Sequence, residues 1–359
     1  MASLAVAVIN PLASSAPTGM GIAGDAVAAL LRDLGADRTP PWVGRWFRFI
    51  NDRLPLGALR MAARLLAVQL VPLLIPRGVL LIFTAHQAPL WRTGRHVVIV
   101  HDLIAAAFPF QHRLQTLFFV GLLPRVIAAA EHLVTISQAT KDALAAHLPA
   151  DRVRAASVIP SYSERVAPRP PAREPRRAQR FLFVGAKYRH KNLGLVLAAF
   201  QLLRTVGVTD AELVVLGCDR DLWRAQDGGL APLERAGWLT CVPYAQDDLL
   251  RREYDQCTAL IYPSLAEGLG LPPLEAMSAG CPVICADIPA LRETCAEAAW
   301  YVDPHDPEKL AALLRDWMQG RLREELARQQ AAVPGVLARF SRERIAGQWQ
   351  AFLTACASR

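Results

Sequence analysis

The sequence predicts an α/β protein made of two doubly wound domains, and three observations carry that reading. Short apolar runs bounded by Gly, Pro or Asn alternate with longer stretches of helical periodicity along the chain. The alternation breaks between Pro168 and Arg180, where Pro-Arg-Pro-Pro-Ala-Arg-Glu-Pro-Arg-Arg has no apolar period and several helix breakers, and then it starts again. At 359 residues and 39.3 kDa the chain is also too long for one ordinary core. The expected divisions are a first domain over 1–168, a linker over 169–179, a second domain over 180–340 and an amphipathic C-terminal helix within 341–359 that crosses back to the first domain.

In the first domain, Leu4 to Ile9 reads as a buried strand closed by Asn10-Pro11; it lacks a basic leader and is too short for a signal peptide. Thr18-Gly19-Met20-Gly21-Ile22 precedes a helix expected from about Ala23 to Leu34. A glycine turn there lets the backbone approach a phosphate or an acceptor, or is a simple loop. It is not a dinucleotide fingerprint, because the full G-x-G-x-x-G run is missing. Trp42, Arg45, Trp46, Phe47, Arg48, Phe49 and Arg53 interleave rings and cations ahead of an apolar helix with Arg60 and Arg64. Three uses fit: a seat at headgroup depth on an anionic membrane, stacking on single-stranded nucleic acid, or packing within the domain. Leu65 to Phe83 is apolar but is broken by Gln69, Pro72, Pro76, Arg77 and Gly78 into a helix end, a turn and a strand from Val79, so no membrane crossing is expected. Val97 to Val100 is a strand that delivers His101-Asp102 at its carboxyl end, where the histidine either packs or faces a ligand. Leu133 to Ile136 and Ala156 to Ile159 complete the set, with Ser137 after the former as a helix N-cap or an acceptor contact.

The second domain opens with the strand Arg180 to Val184 and a turn, Gly185-Ala-Lys187-Tyr-Arg189-His-Lys191-Asn192, that crowds cations before a helix starting near Leu193. Such a turn holds a diphosphate by point charges and forked donors, or is simply solvated. Strands follow at Glu212 to Leu216, ending in Gly217; at Trp238 to Val242, leading to Tyr244; and at Ala259 to Tyr262. The last of these enters Pro-Ser-Leu-Ala-Glu267-Gly268-Leu269-Gly270-Leu271-Pro-Pro-Leu-Glu275-Ala-Met. The prolines suit the first turn of a helix from about Leu274 to Ala279, which puts Glu267 in the loop and Glu275 on that first turn. Free N–H groups at Gly268 to Leu271 and the helix's positive end make a site for sugar hydroxyls or phosphate. Pro282 to Cys285 and Ala299 to Val302 are the remaining strands, and ligands are expected at the carboxyl ends, in the cleft between the halves.

The composition is globular, with 53% hydrophobic and 20% charged residues, which excludes extended disorder. A formal charge of +8 suits anionic partners such as nucleotide diphosphates or an anionic bilayer, and no nucleic-acid module is legible. Seven scattered cysteines without a C-x-x-C pair read as buried thiols in a reducing compartment rather than a zinc site, so the expected location is cytoplasmic.

The Glu267 to Glu275 segment resembles the E-x7-E motif of the retaining family 4 glycosyltransferases, supported by the flanking strand, the EGLGLPPLEAM wording and the Gly-Cys-Pro-Val strand after it. The match is firm over about Phe181 to Pro304 and looser before it. The resemblance implies the GT-B fold, two Rossmann-like domains across a cleft, and a nucleotide-sugar donor bound mainly by the second domain. It implies that Glu267 holds donor hydroxyls, Glu275 the ribose, and Gly217, Val242 and Tyr244 the base, with Gly19 and Gly21 as the first glycine loop. It implies Lys191 on the diphosphate, with His190 where an arginine is common, so that Arg189 or Lys187, beside Gly185, supplies the second charge. His101 would orient the sugar or the leaving phosphate oxygen.

The wording is closest to mannosyl- and rhamnosyltransferases of bacterial surface polysaccharide assembly, which favours GDP-mannose and a glycan or lipid-linked acceptor. The expected catalytic set is His101, Glu267 and Lys191. No metal or cofactor is implied, since no D-x-D motif is present. A GT-B enzyme acting on soluble sugars and a non-catalytic GT-B binding subunit are the alternatives.

Overall fold

The computed structural model describes residues 4–15, 19–110, 113–167, 179–208, 210–218, 230–243 and 246–358. The chain forms two compact units, one of 1–164 with 339–359 and the other of 165–338. Most of the expected linker lies outside the described residues.

In the first unit the elements are β1 (Val6–Ile9), α1 (Gly19–Asp33), α2 (Pro41–Arg53), α3 (Gly57–Leu74), β2 (Leu80–Phe83), β3 (His96–Val100), α4 (Ile104–Ala107), α5 (Arg113–Gly121), α6 (Leu123–Ala129), β4 (His132–Thr135), α7 (Gln138–Ala145), α8 (Ala150–Arg154) and β5 (Ser157–Val158). The five strands pair in parallel in the order β1-β2-β3-β4-β5. The strands β1, β2 and β3 are buried on both faces, which is why they read as continuous Val/Ile/Leu runs rather than alternating ones. Alternate strand residues, Ala7 and Ile9, Leu81 and Phe83, Val98 and Val100, join one hydrophobic cluster with Phe47 of α2, Met61, Val68 and Val71 of α3, and Phe118 and Phe119 of α5. Phe47 is fully buried, and Trp42 and Trp46 pack against the same cluster. Most of the rings expected to seat in a membrane are therefore spent on the core, because α2 is amphipathic and turns its aromatic face inward.

The second unit holds β6 (Arg180–Val184), α9 (Leu193–Thr205), β7 (Glu212–Leu216), α10 (Leu230–Arg235), β8 (Leu239–Val242), α11 (Asp247–Gln256), β9 (Ala259–Tyr262), α12 (Leu271–Ser278), β10 (Val283–Ala286), α13 (Pro289–Cys295), β11 (Trp300–Val302), α14 (Pro307–Met318) and α15 (Arg323–Arg339). Its six-stranded sheet runs β11-β10-β9-β6-β7-β8 and is parallel throughout. The winding reverses between β6 and β9, and at such a switch point the loops leaving the two strands part and open a crevice. Arg180, at the opposite end of β6, is nearly buried and ties the sheet's lower edge through a forked contact to Glu253 and a second to Glu212.

The last helix, α16 (Arg342–Ala357), belongs to the first unit. Ser341 caps it by accepting from the N–H of Arg344, and Ile345, Trp349, Leu353 and Cys356 form its buried stripe. Arg342 pairs with Asp33 of α1, and Phe352 meets the His132 ring edge-on at 5.6 Å. All seven cysteines are buried thiols outside disulfides.

Candidate functional site

The switch point of the second unit is where the sequence motifs meet. The turn after β6 is one turn of 3-10 helix over Arg189–Lys191, closed by Asn192 in the left-handed region at φ 64°. Asn192 tolerates that conformation and fixes the turn by donating from Nδ2 to the carbonyls of Pro263 (3.2 Å) and Pro304 (2.7 Å). The N–H of Leu265 donates to the His190 carbonyl at 2.7 Å, joining this turn to the loop after β9. Held in this way, Lys191 Nζ donates to Glu267 Oε1 at 2.5 Å and to the Tyr262 hydroxyl at 2.6 Å. The side chains of Lys191 and Glu267 are 16% and 7% exposed, so this is an ion pair largely withdrawn from water. Burial pushes the Glu267 carboxyl up, but the Lys191 ammonium, with the Tyr262 and Ser264 hydroxyls, outweighs it and holds the group below the usual carboxylate range. Burial, with Glu267 beside it, pushes the Tyr262 hydroxyl well up, so Tyr262 stays a neutral hydrogen-bonding group.

Gly185 sits at φ +92°, and a Cβ there would lie 3.6 Å from the Lys191 chain it lets pass. Lys187 and Arg189 are exposed on the same turn. On the opposite loop, α12 begins at Leu271 with Gly270 as N-cap at φ +92°, where a Cβ would collide with Leu291 Cδ2 at 2.6 Å. The helix thus starts three residues earlier than its spacing suggested. Pro272 and Pro273 are its second and third residues, and Glu275 stands in its second turn, not its first. Both prolines remove an N–H from the helix start, which leaves Leu269, Gly270 and Leu271 as the backbone donors; among the described residues no hydrogen bond takes up these three. Gly268 to Gly270 are buried, and Thr294 Oγ1 holds the Leu269 carbonyl at 2.6 Å.

Glu275 is buried and accepts from the Tyr254 hydroxyl at 3.3 Å, with Arg165 Nη1 at 3.8 Å. Gly217 and Val242 meet where β7 and β8 end, the N–H of Gly217 donating to the Val242 carbonyl at 2.9 Å. Tyr244 lies outside the described residues.

In the first unit His101 is buried at the carboxyl end of β3, and its Nε2 lies 2.7 Å from the Thr84 carbonyl. A carbonyl only accepts, so Nε2 carries the proton and Nδ1 the lone pair. Burial lowers its pKa and outweighs Thr84 and Asp102, which keeps the ring neutral. The expected glycine loop is different: Gly19 and Gly21 lie inside the first turn of α1, because Asn10 Nδ2 anchors that turn by donating to the Gly21 carbonyl and to Asp25, both at 2.9 Å. The glycine that permits close approach is Gly24, where a Cβ would fall 2.5 Å from Thr84 Oγ1. Ser137 is a buried N-cap, accepting from the N–H of Thr140 at 3.0 Å.

Sequence reasoning missed Tyr262, Ser264, Tyr254 and Arg165. Tyr262 reads as one more apolar strand residue, and Arg165 is distant in sequence from Glu275. Ser264 alone carried a signal, its hydroxyl following a strand at the head of the motif; it is fully buried beside Tyr262 and Glu267.

Two Rossmann-like units, each a parallel sheet, with a cation and a carboxylate brought together at a switch point, define a GT-B-fold protein. Three solved structures share this fold: sucrose-phosphate synthase from Thermosynechococcus elongatus (TM-score 0.63, 18% identity, 99% of this chain and 96% of that one), HepE of Anabaena in complex with UDP and glucose (0.63, 16%, 84% and 84%), and the lipopolysaccharide outer core galactosyltransferase WaaB (0.58, 17%, 94% and 96%). Residues 168–332, which make up most of the second unit, match the family model described as glycosyl transferases group 1. The chain is 27% identical over 234 residues to the O-antigen chain mannosyltransferase RfbU of Salmonella typhimurium, covering 65% of this chain and 63% of that protein. It is 28% identical over 251 residues to O-antigen chain mannosyltransferase B of Escherichia coli, covering 66% and 64%. The chain thus spans just under two thirds of the length of these relatives.

Proposed function

We propose that the protein is a retaining hexosyltransferase that moves mannose from GDP-mannose to a glycan or lipid-linked saccharide during assembly of a bacterial surface polysaccharide, on the cytoplasmic side of the membrane. The observation that carries this reading is the Lys191–Glu267 pair, with Tyr262, at the switch point of the second unit. The mannosyl preference is supported by the relatives, two of which are named as O-antigen chain mannosyltransferases.

In this reading the donor's diphosphate lies over the β6–α9 turn. Lys191, with Lys187 or Arg189, neutralises it, and Glu267 accepts from the sugar's hydroxyls. Binding exchanges one anionic partner of Lys191 for another, so the ammonium is held in position before the donor arrives. As the sugar departs, its anomeric carbon gains oxocarbenium character and charge builds on the leaving phosphate. Lys191 and the N–H groups of Leu269 to Leu271 meet that charge, and each well-aimed donor is worth about 3–4 kcal/mol. Glu275 takes the ribose, and Gly217 and Val242 border the base. His101, neutral and fixed by Thr84, offers Nδ1 as an oriented acceptor for a sugar hydroxyl. The acceptor attacks on the face the diphosphate leaves, so retention requires no protein nucleophile, and the cations do the work a metal would otherwise do.

The test is a thermal-shift panel of GDP, UDP and ADP and their sugar conjugates, followed by transfer to a lipid-linked saccharide read by mass spectrometry with and without EDTA. Stabilisation by GDP and GDP-mannose that is lost in Lys191→Ala, with transfer abolished in Lys191→Ala and Glu267→Ala, is expected. A fully active double variant would end this assignment.

A further inference from the structure

The outward side of the first unit's helix layer is apolar. On α3 the exposed residues Leu59, Leu66, Leu70 and Leu73 recur at helical spacing, while Met61, Ala67, Val68 and Val71 on the other side enter the core. Leu66 is 61% and Leu73 65% exposed, and together with their neighbours on the row they form a stripe rather than single scattered leucines. The surface continues past α3. Gln69 of α3 accepts from the N–H of Leu90 at 2.9 Å, which lays Leu90 and exposed Trp91 beside the helix. His86, a few residues earlier, packs on the rings of Phe118 and Phe119 at 5.4 and 4.6 Å, and the opposite side of that helix, α5, exposes Leu114, Leu117 (70%) and Val120.

Charge along this part of the chain is predominantly positive. From Arg38 to Ala130 the sequence has eleven arginines against two acids, Asp52 and Asp102. Arg53, Arg77, Arg92 and Arg113, all exposed, stand at the ends of α2, α3 and α5 and beside Trp91. A leucine face rimmed by arginines and nearly free of carboxylates matches an anionic bilayer surface, with side chains in the acyl boundary and guanidinium groups among phosphates. A second copy of the chain would instead bring arginine against arginine.

We infer that the α3–α5 face of the first unit docks the protein on anionic lipid. The helix α3 is long and apolar enough to span a bilayer, but one side of it is built into the core. It therefore lies in the plane of the membrane, about 27 Å of helix along the surface. The leucines, rather than the rings of residues 42–49, make the contact.

The experiment is flotation of the full chain with vesicles containing phosphatidylglycerol and with vesicles of phosphatidylcholine alone, and it needs no donor, so it stands apart from the proposed transfer reaction. Expected are binding to the anionic vesicles, weakening with salt, and at least about a tenfold loss of binding in Leu66→Gln/Leu73→Gln and in Leu117→Gln. These side chains are exposed, so thermal midpoints should hold; the two variants lie on different helices, so a fault in one leaves the other informative. Arg77→Gln/Arg113→Gln should lose the preference for anionic lipid. Failure of the parent chain to bind either vesicle overturns the inference, as does parent-like binding by the leucine variants. So does a dimer, seen by light scattering, that those variants dissolve while no lipid is bound.

Discussion

Replacing Lys191 by Met removes the cation that contacts a carboxylate only 7% exposed. Breaking a buried pair from one side costs about 3–5 kcal/mol, because the remaining charge keeps its desolvation penalty without its partner. For a unit of this size that is a fall of roughly 6–20 °C in thermal midpoint. The double variant Lys191→Met/Glu267→Gln removes both charges and should recover at least about 1.5 kcal/mol relative to the single change, since contacting residues couple on that scale. The pH dependence should reverse as well. With Lys191 present the Glu267 pKa is depressed, so the pair's stabilisation is present above the ordinary carboxylate range and lost as pH falls through the folded value. With Lys191 gone, burial raises that pKa, and stability instead declines as pH rises through it. Calorimetry and urea midpoints of the four proteins at several pH values between 4 and 8 read both effects. Additive single and double changes, with no reversal, would show that the two side chains do not depend on each other and would refute the reasoning.

Gly270→Ala should cost about 1–3 kcal/mol, through positive φ and the clash with Leu291, and Leu291→Ala in the same chain should relieve the clash but not the backbone strain; thermal midpoints of the three variants separate the two. Burial, aided by neighbouring cationic groups, holds His86 near a pKa of about 3 and His96 near about 4. The unfolded chain then binds more protons than the folded one below the ordinary histidine value, so stability should drop as pH falls from about 6.5 toward 4, by about 2 kcal/mol for each histidine at pH 5; His86→Phe should flatten the urea-midpoint profile. His101→Asn should lower the transfer rate by about a hundredfold or more with little change in midpoint, and should leave the pH profile of the residual rate unchanged between 6.5 and 8, because the wild-type ring is already neutral there.

The two α/β units and nearly every strand were legible in the chain, because strands buried on both faces must be continuous apolar runs, and Arg180–Val184, Glu212–Leu216 and Ala259–Tyr262 fall where those runs lie. The sequence also pointed to the loops after β6 and β9, since Gly-Pro turns at strand ends and a lysine before a helix are local signals. Local signals misplace what depends on distant partners. The prolines mark the start of α12, but the left-handed Gly270, fitted against Leu291, moves that start and takes Glu275 into the second turn. Gly19 and Gly21 look like a loop until Asn10 and Asp25 draw them into α1. The aromatics of α2 look like a surface until the sheet claims Phe47. The tertiary structure alone decided that Lys191, Tyr262 and Glu267 form one cluster and that Arg165 and Tyr254 hold Glu275. Those pairs join residues tens of positions apart, and only the order of strands in a sheet, with its reversal between β6 and β9, brings their loops to the same place.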